Sequence, residues 1–204
     1  MSSSPGYKSL NHDGRSSSTN TCCCSKSWRK CPCYGKACIV IAAIICVFVA
    51  VVFSAAGVYS VFYPIHASCK INWSFNASCD VVQTKIVQQI NDWKGADMCN
   101  GTQRCLYLLK GNKAGVKTTA THETPKKHYI DDLTFDFSSA SDGSCQVKGY
   151  STSETWYAVL DYGTNYCNLN NLITGSGVDK LPAYTETTSD SVCTQYSIRN
   201  CDVY

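Results

Sequence analysis

An uncharged apolar stretch, ACIVIAAIICVFVAVVFSAAGVYSVFY at residues 37–63, decides how this chain is organised. A helix rises about 1.5 Å per residue, so a helix of this length reaches roughly 40 Å, more than the ~30 Å hydrocarbon core of a bilayer. The stretch therefore predicts a transmembrane helix. A cleaved signal sequence is the alternative, but its apolar core is about 7–15 residues long and lies close to the chain start. We therefore expect an uncleaved signal anchor.

Charge is distributed unequally on the two sides of this stretch. Residues 1–36 contain six basic residues and one acidic residue, whereas residues 64–204 contain twelve basic and fourteen acidic residues. Basic residues that flank a span stay on the cytoplasmic side. We therefore predict a single-pass type II protein of the plasma membrane, with a cytoplasmic N-terminus and an extracellular C-terminus. Because the basic residues flank a span, they do not indicate nucleic acid as a partner.

Cysteines and glycosylation motifs agree with this orientation. Three N-glycosylation motifs, at Asn72, Asn76 and Asn100, lie beyond the span. The same part of the chain holds an even number of cysteines, which predicts a disulfide framework in an oxidising compartment, with the pairing left open. These eight cysteines are Cys69, Cys79, Cys99, Cys105, Cys145, Cys167, Cys193 and Cys201.

The segment before the span predicts a disordered, basic cytoplasmic tail over residues 1–36, because its Ser-rich start has little apolar surface to bury. Cysteines that lie among basic residues next to a span are candidates for S-palmitoylation. The cysteines concerned are Cys22, Cys23, Cys24, Cys31 and Cys33. Zinc binding is the alternative, but the spacing does not form two separate CxxC pairs.

Small residues recur at every fourth position inside the span, which places them along one face of the helix. Small side chains let two membrane helices approach closely, so this face predicts a homodimer contact. The residues of the face are Ala42, Cys46, Ala50 and Ser54.

Beyond the span, we expect a short glycosylated stalk over residues 64–79 and a disulfide-rich extracellular domain over residues 80–204. Apolar residues at helical spacing predict a helix over residues 80–93. Alternating patterns then predict strands at 104–110, 115–121, 128–137, 145–150, 155–161 and 166–173. This order predicts an α+β domain in which one helix packs on a curled antiparallel sheet of five or six strands. A strand-only sandwich with a peripheral helix is the alternative.

Residues that could support catalysis or bind a metal are few. His122 and His128, with Asp131 and Asp132, form the nearest cluster, but no familiar ligand spacing results and Lys126–Lys127 would repel a cation. The chain contains neither a phosphate-binding loop nor a glycine-flanked serine elbow. We therefore expect no enzyme activity, no metal and no cofactor.

Aromatic and asparagine residues predict a binding surface on strands 155–161 and 166–173, because rigid amphipathic rings supply contact area at low entropic cost. The candidate residues are Trp156, Tyr157, Tyr162, Tyr166 and Asn168. The leading hypothesis is a protein-binding module at the cell surface. One alternative is a carrier that holds a small apolar ligand or lipid between sheet and helix. A weaker alternative is a hydrolase that uses His122 or His128 with Asp131 or Asp132.

Overall fold

The computed structural model describes residues 32–62 and 64–204. Its first helix, α1, covers Pro32–Phe62, and so begins at Pro32 rather than at Ala37. Proline suits a first helical turn, since its missing N–H has no partner there. Within α1, the segment Ala37–Ser60 is long and apolar enough to cross a membrane, and it is not buried against the rest of the chain.

Most of the predicted tail lies outside the described residues, and so do the predicted palmitoylation sites Cys22, Cys23, Cys24 and Cys31. For Cys33, only the backbone is described, in the first turn of α1. The predicted dimer face of α1 stays a prediction.

The rest of the described chain is an α+β domain, as predicted, with one six-stranded antiparallel sheet in the order β2-β3-β4-β5-β1-β6. Strands β2 to β5 form a meander, and β1 pairs with both β5 and β6. The elements are β1 Ser68–Phe75, α2 Cys79–Asp92, β2 Tyr107–Lys113, β3 Lys117–Glu123, β4 Ile130–Ser139, β5 Cys145–Ser153, α3 Thr164–Gly175 and β6 Thr185–Thr187.

Alternation along the strands places the core on one face of this sheet. On β4, the buried Leu133 and Phe135 alternate with Asp132 and Asp136, which are exposed on the other face. Both α2 and α3 pack on the apolar face: Val82, Ile86 and Ile90 of α2 have no exposed surface, and neither do Leu169, Leu172 and Ile173 of α3. The predicted helix at 80–93 is thus confirmed, apart from a shift of one residue.

Three predictions about elements are wrong. Residues 64–79 are not only a stalk, because they contain β1, which lies inside the sheet. Residues 155–161 are a loop rather than a strand, and residues 166–173 belong to helix α3. The alternating pattern was misleading there because the buried positions of α3 include asparagines at helical spacing, and asparagine is a weak helix former.

Four disulfides join all eight of the cysteines that were predicted to pair. Cys69 pairs with Cys193, Cys79 with Cys145, Cys99 with Cys105, and Cys167 with Cys201. Two of these bonds attach helices to distant segments: α2 to β5, and α3 to the C-terminus.

Candidate functional site

An open groove of about 890 Å³ lies at the end of the sheet where β3 ends, β4 begins and β5 ends. We call it the end groove. Its walls come from residues 99–103, from the turn at 124–129 and from the loop at 157–162, while Val203 and Tyr204 add the C-terminus. Asp131 and Ser153, at the strand ends, also line it.

The loop between β5 and α3 carries an unusual amount of exposed apolar surface. Trp156 is 84% exposed, Tyr157 66%, Leu160 60% and Tyr162 58%. The rings of Trp156 and Tyr157 meet edge to face, with centroids 5.3 Å apart. Contiguous exposed apolar patches of this kind mark interaction sites in soluble domains.

This loop is held in place by hydrogen bonds near its end. The backbone N–H groups of Asp161 and Tyr162 donate to Oε1 of Gln195, at 2.8 and 2.7 Å. Tyr162 adopts a left-handed backbone, with φ of 55°, which costs a non-glycine residue about 1–2 kcal/mol. Such strain persists where the surrounding contacts impose it, and it is frequent at functional sites.

Three buried asparagines of α3, spaced three residues apart, hold three residues of the end groove. Their side-chain amides donate to groove-lining partners: Asn165 to Asp161 Oδ2 at 2.8 Å, Asn168 to Asp131 Oδ2 at 2.7 Å, and Asn171 to the carbonyl of Tyr204 at 2.9 Å. Residues three apart lie on neighbouring positions of one helix face. One face of α3 therefore positions the wall formed by loop 157–162, the strand-end carboxylate and the C-terminus.

Asp131 is the most unusual residue of the groove. It is 4% exposed, and loss of water around it raises the pKa of its carboxyl to about 6. The charge of Asp161 contributes to this rise, and burial raises the pKa of Asp161 as well. None of the ion pairs formed by the described residues includes either carboxylate. The groove is therefore lined by these two carboxylates and by two lysines, Lys126 and Lys127, and no described ion pair joins the two sets.

His122 lies directly opposite Asp131 on β3, and so on the same face of the sheet. It has no exposed surface, and its Nε2 donates to the carbonyl of Gln103 at 2.8 Å. Burial lowers the pKa of its imidazole to about 4, so the ring is neutral at physiological pH. His122 is therefore a core histidine above the groove, and it does not line the groove.

The other members of the predicted His–Asp cluster lie elsewhere. His128 is exposed, and its Nδ1 forms a hydrogen bond with Oε1 of Glu123. Asp132 lies on the exposed face of the sheet, opposite to the face of Asp131. Among the described residues, no group of three or more His, Cys, Asp or Glu side chains could hold a metal ion.

The predicted binding residues fall into two groups. Trp156, Tyr157 and Tyr162 are exposed on the loop, although that loop is not a strand. Tyr166 and Asn168 are buried in α3, so their predicted place on an outward face is wrong. The hydroxyl of Tyr166 donates to Glu186 Oε1 at 2.8 Å. Asp131 was named in the sequence only as part of the His–Asp cluster; that it lines the groove was not predicted, although a carboxylate on the apolar face of β4 was a usable signal.

The three glycosylation motifs have exposed asparagines. Asn72 lies on the exposed face of β1, and Asn76 follows directly after that strand. Asn100 lies between two groove-lining residues, Cys99 and Gly101. A glycan at Asn100 would therefore stand at the mouth of the groove.

Fold and site together define an α+β domain, cross-linked by disulfides, that presents a groove with a buried carboxylate beside an exposed aromatic loop. The chain matches no protein-family model and no characterised protein sequence. Function is therefore inferred from the residues of the groove.

Proposed function

We propose that this chain is a single-pass type II membrane glycoprotein whose extracellular domain binds other proteins at the cell surface. The observation that carries the proposal is the end groove, in which an exposed aromatic wall meets the buried carboxylate of Asp131. The apolar α1, the disulfides and the exposed glycosylation motifs support the membrane and extracellular parts of the proposal.

The chemistry of the groove favours one kind of ligand, an extended protein segment with a Lys or Arg between apolar residues. The carboxylates of Asp131 and Asp161 attract a cation, whereas Lys126 and Lys127, on the turn at 124–129, oppose it. A charge-assisted hydrogen bond to the buried Asp131 is stronger because that site is shielded from water. The ring faces of Tyr157 and Tyr162 can accept a cation and its aliphatic stem. Apolar neighbours of the basic residue would contact Leu160.

The carrier alternative has less support. Its ligand would lie between α2 and the sheet, but Val82, Ile86 and Ile90 fill that side of α2 with no exposed surface. The end groove is open and lies at the strand ends, away from this layer.

Peptide display tests the proposal. The full chain, reconstituted in lipid nanodiscs, is used to select binders from a random peptide library. We expect enrichment of peptides with a basic residue flanked by apolar ones. Asp131→Asn keeps the shape of the groove and removes its charge, so the preference for a basic residue should disappear.

Asp136→Asn is the matched control. It makes the same chemical change on the same strand, but Asp136 is half-exposed on the opposite face and pairs with Lys117. This variant should select the same peptides as the wild type. Enrichment that is unaffected by Asp131→Asn, or no enrichment at all, would contradict the proposal.

A further inference from the structure

The apolar loop 156–162 is fastened to the short connection between α1 and the sheet. The N–H of Ala67, just before β1, donates to the carbonyl of Ala158 at 2.8 Å. The carbonyl of Ala67 accepts from the N–H of Ser153 at 3.1 Å. The loop therefore starts and turns at the place where the domain is tethered to the candidate span.

The tether is too short to move this loop far from the end of α1. The chain from Phe62 to Ala67 can extend by at most about 3.6 Å per residue, which is about 18 Å in all. Residues 65–67 form bends, so the real reach is shorter. The 24 residues of Ala37–Ser60 rise about 36 Å, enough to fill the hydrocarbon core and to place Phe62 among the lipid headgroups.

The side chains near the tether have the composition of a membrane interface. Tryptophan and tyrosine are enriched at the level of the headgroups, where one end of the ring is apolar and the other is wet. Trp156 is 84% exposed, Tyr157 66% and Leu160 60%, and Ile65 of the tether is 68% exposed. Burial of such a patch in the interface removes apolar surface from water.

The end of the sheet that lies away from the tether is more polar. β1 leads away from the tether and ends next to Asn76, which is exposed and carries a glycosylation motif. The turn between β4 and β5 has the polar sequence ASDGS at residues 140–144. The two ends therefore differ in polarity, with the apolar end at the tether.

We infer that loop 156–162 rests in the headgroup region of the membrane that α1 crosses, with Trp156 of the loop and Ile65 of the tether in contact with lipid. This contact gives the domain a fixed orientation and brings the end groove next to the bilayer. A segment that binds the groove must then approach close to the membrane surface. The inference rests on α1 crossing the membrane, as proposed above, and does not depend on what the groove binds.

Fluorescence quenching by brominated lipid tests the contact. The full chain is placed in phosphatidylcholine nanodiscs whose lipids carry bromine near the headgroup end of one acyl chain. All variants carry Trp28→Phe and Trp93→Phe, which remove the tryptophan of the tail and the half-buried tryptophan that follows α2. We expect bromine to quench part of the emission, and Trp156→Phe to abolish that part, because Trp73 is buried and does not reach lipid.

A second variant tests whether the quenching is specific for a tryptophan in the loop. Trp156→Phe combined with Val116→Trp moves the exposed tryptophan to the turn between β2 and β3, at the opposite end of the sheet. Its emission should not be quenched. Equal quenching at both positions, or quenching that Trp156→Phe leaves unchanged, would overturn the inference.

Extraction of cell membranes with alkaline carbonate tests the span independently of the lipid contact. If alkaline carbonate removes the chain from cell membranes, the span is refuted and the lipid contact with it. If the chain stays in the membrane and Trp156 is not quenched, the lipid contact alone is refuted.

Discussion

At the scale of single residues, Asp131 destabilises the folded domain and also lines the proposed binding groove. Its carboxylate is buried on the apolar face of the sheet, where an ionised group is costly. Asn168 donates one hydrogen bond to it, but the described ion pairs supply no cation. A cation from the basic ligand proposed above would compensate this charge.

Asp131→Asn should stabilise the domain at neutral pH. The folded state raises the pKa of Asp131 from its ordinary 3.8 to about 6, so it binds the proton more tightly than the unfolded state does. The stability that this residue contributes is full below pH 3.8 and is lost as the pH rises through about 6. A shift of this size corresponds to about 3 kcal/mol.

The difference in unfolding free energy between Asp131→Asn and the wild type should therefore be near zero at pH 4 and should grow up to pH 7. Guanidinium denaturation at several pH values measures it. Taking the difference between the two proteins also cancels the pH dependence that His122 adds to the unfolding free energy. The pKa of His122 is lowered by folding, so its stabilising contribution is present above pH 6.5 and is lost as the pH falls through about 4. A constant difference across this range would contradict the assignment.

At the scale of elements, α3 organises the groove. Its apolar residues pack on the sheet, while its asparagines reach the loop, the strand end and the C-terminus. Asn165 has two roles, because it also accepts a hydrogen bond from the buried Ser151 of β5. The geometry of loop 155–162 thus depends on a helix that follows it in the chain.

Asn165→Ala should destabilise the domain and release the loop. The hydroxyl of Ser151 loses its acceptor, and Oδ2 of Asp161 loses the side-chain donor but keeps the backbone N–H of residue 165. An unsatisfied buried group costs about 1–3 kcal/mol. Hydrogen–deuterium exchange should show faster exchange at residues 155–162 and little change in β4. Asn170→Ala, at a half-buried position of the same helix, is the control and should leave the loop protected. An unchanged loop in Asn165→Ala would show that the asparagine does not hold it.

At the scale of the whole molecule, the disulfides differ in what they hold together. Cys69–Cys193 links residues 124 apart in sequence and joins the tethered end of β1 to the C-terminal region. Cys99–Cys105 links residues only 6 apart, at the rim of the groove. A longer closed loop removes more conformational entropy from the unfolded chain.

Removal of Cys69–Cys193 by a double Cys→Ala change should therefore cost more stability than the same change at Cys99–Cys105. The loop-entropy relation gives about 5 kcal/mol for the first and about 2 kcal/mol for the second. Chemical denaturation of the two variants measures the ranking. A larger loss for the short loop would mean that the local structure of the groove rim, and not chain entropy, sets the stability.

The proposed orientation makes a prediction for glycosylation. If the domain is extracellular, then Asn72, Asn76 and Asn100, all exposed, are available to the glycosylation machinery. Each Asn→Gln change should increase the mobility of the chain on a gel, and the triple variant should no longer respond to removal of N-glycans by glycosidase. A chain without N-glycans in the wild type would contradict the type II orientation.

The features that depend on a local pattern were predictable from the amino-acid sequence. The uncharged apolar run identified a helix that could cross a membrane, and the even cysteine count identified the paired set. Helical spacing located α2, and alternation located β2 to β5 with boundaries displaced by up to three residues. Each of these signals lies within a short window of the chain, where side-chain periodicity reflects which face is buried.

The remaining features depend on contacts between residues that are distant in sequence. β1 was mistaken for a stalk because its place between β5 and β6 depends on contacts far away in sequence. α3 was mistaken for a strand because its asparagines are stabilised by distant partners rather than by helix propensity. Asp131 became a groove residue only when three segments met at one end of the sheet. The burial and hydrogen bonding of these residues depend on partners far away in sequence, so a local sequence pattern does not predict them.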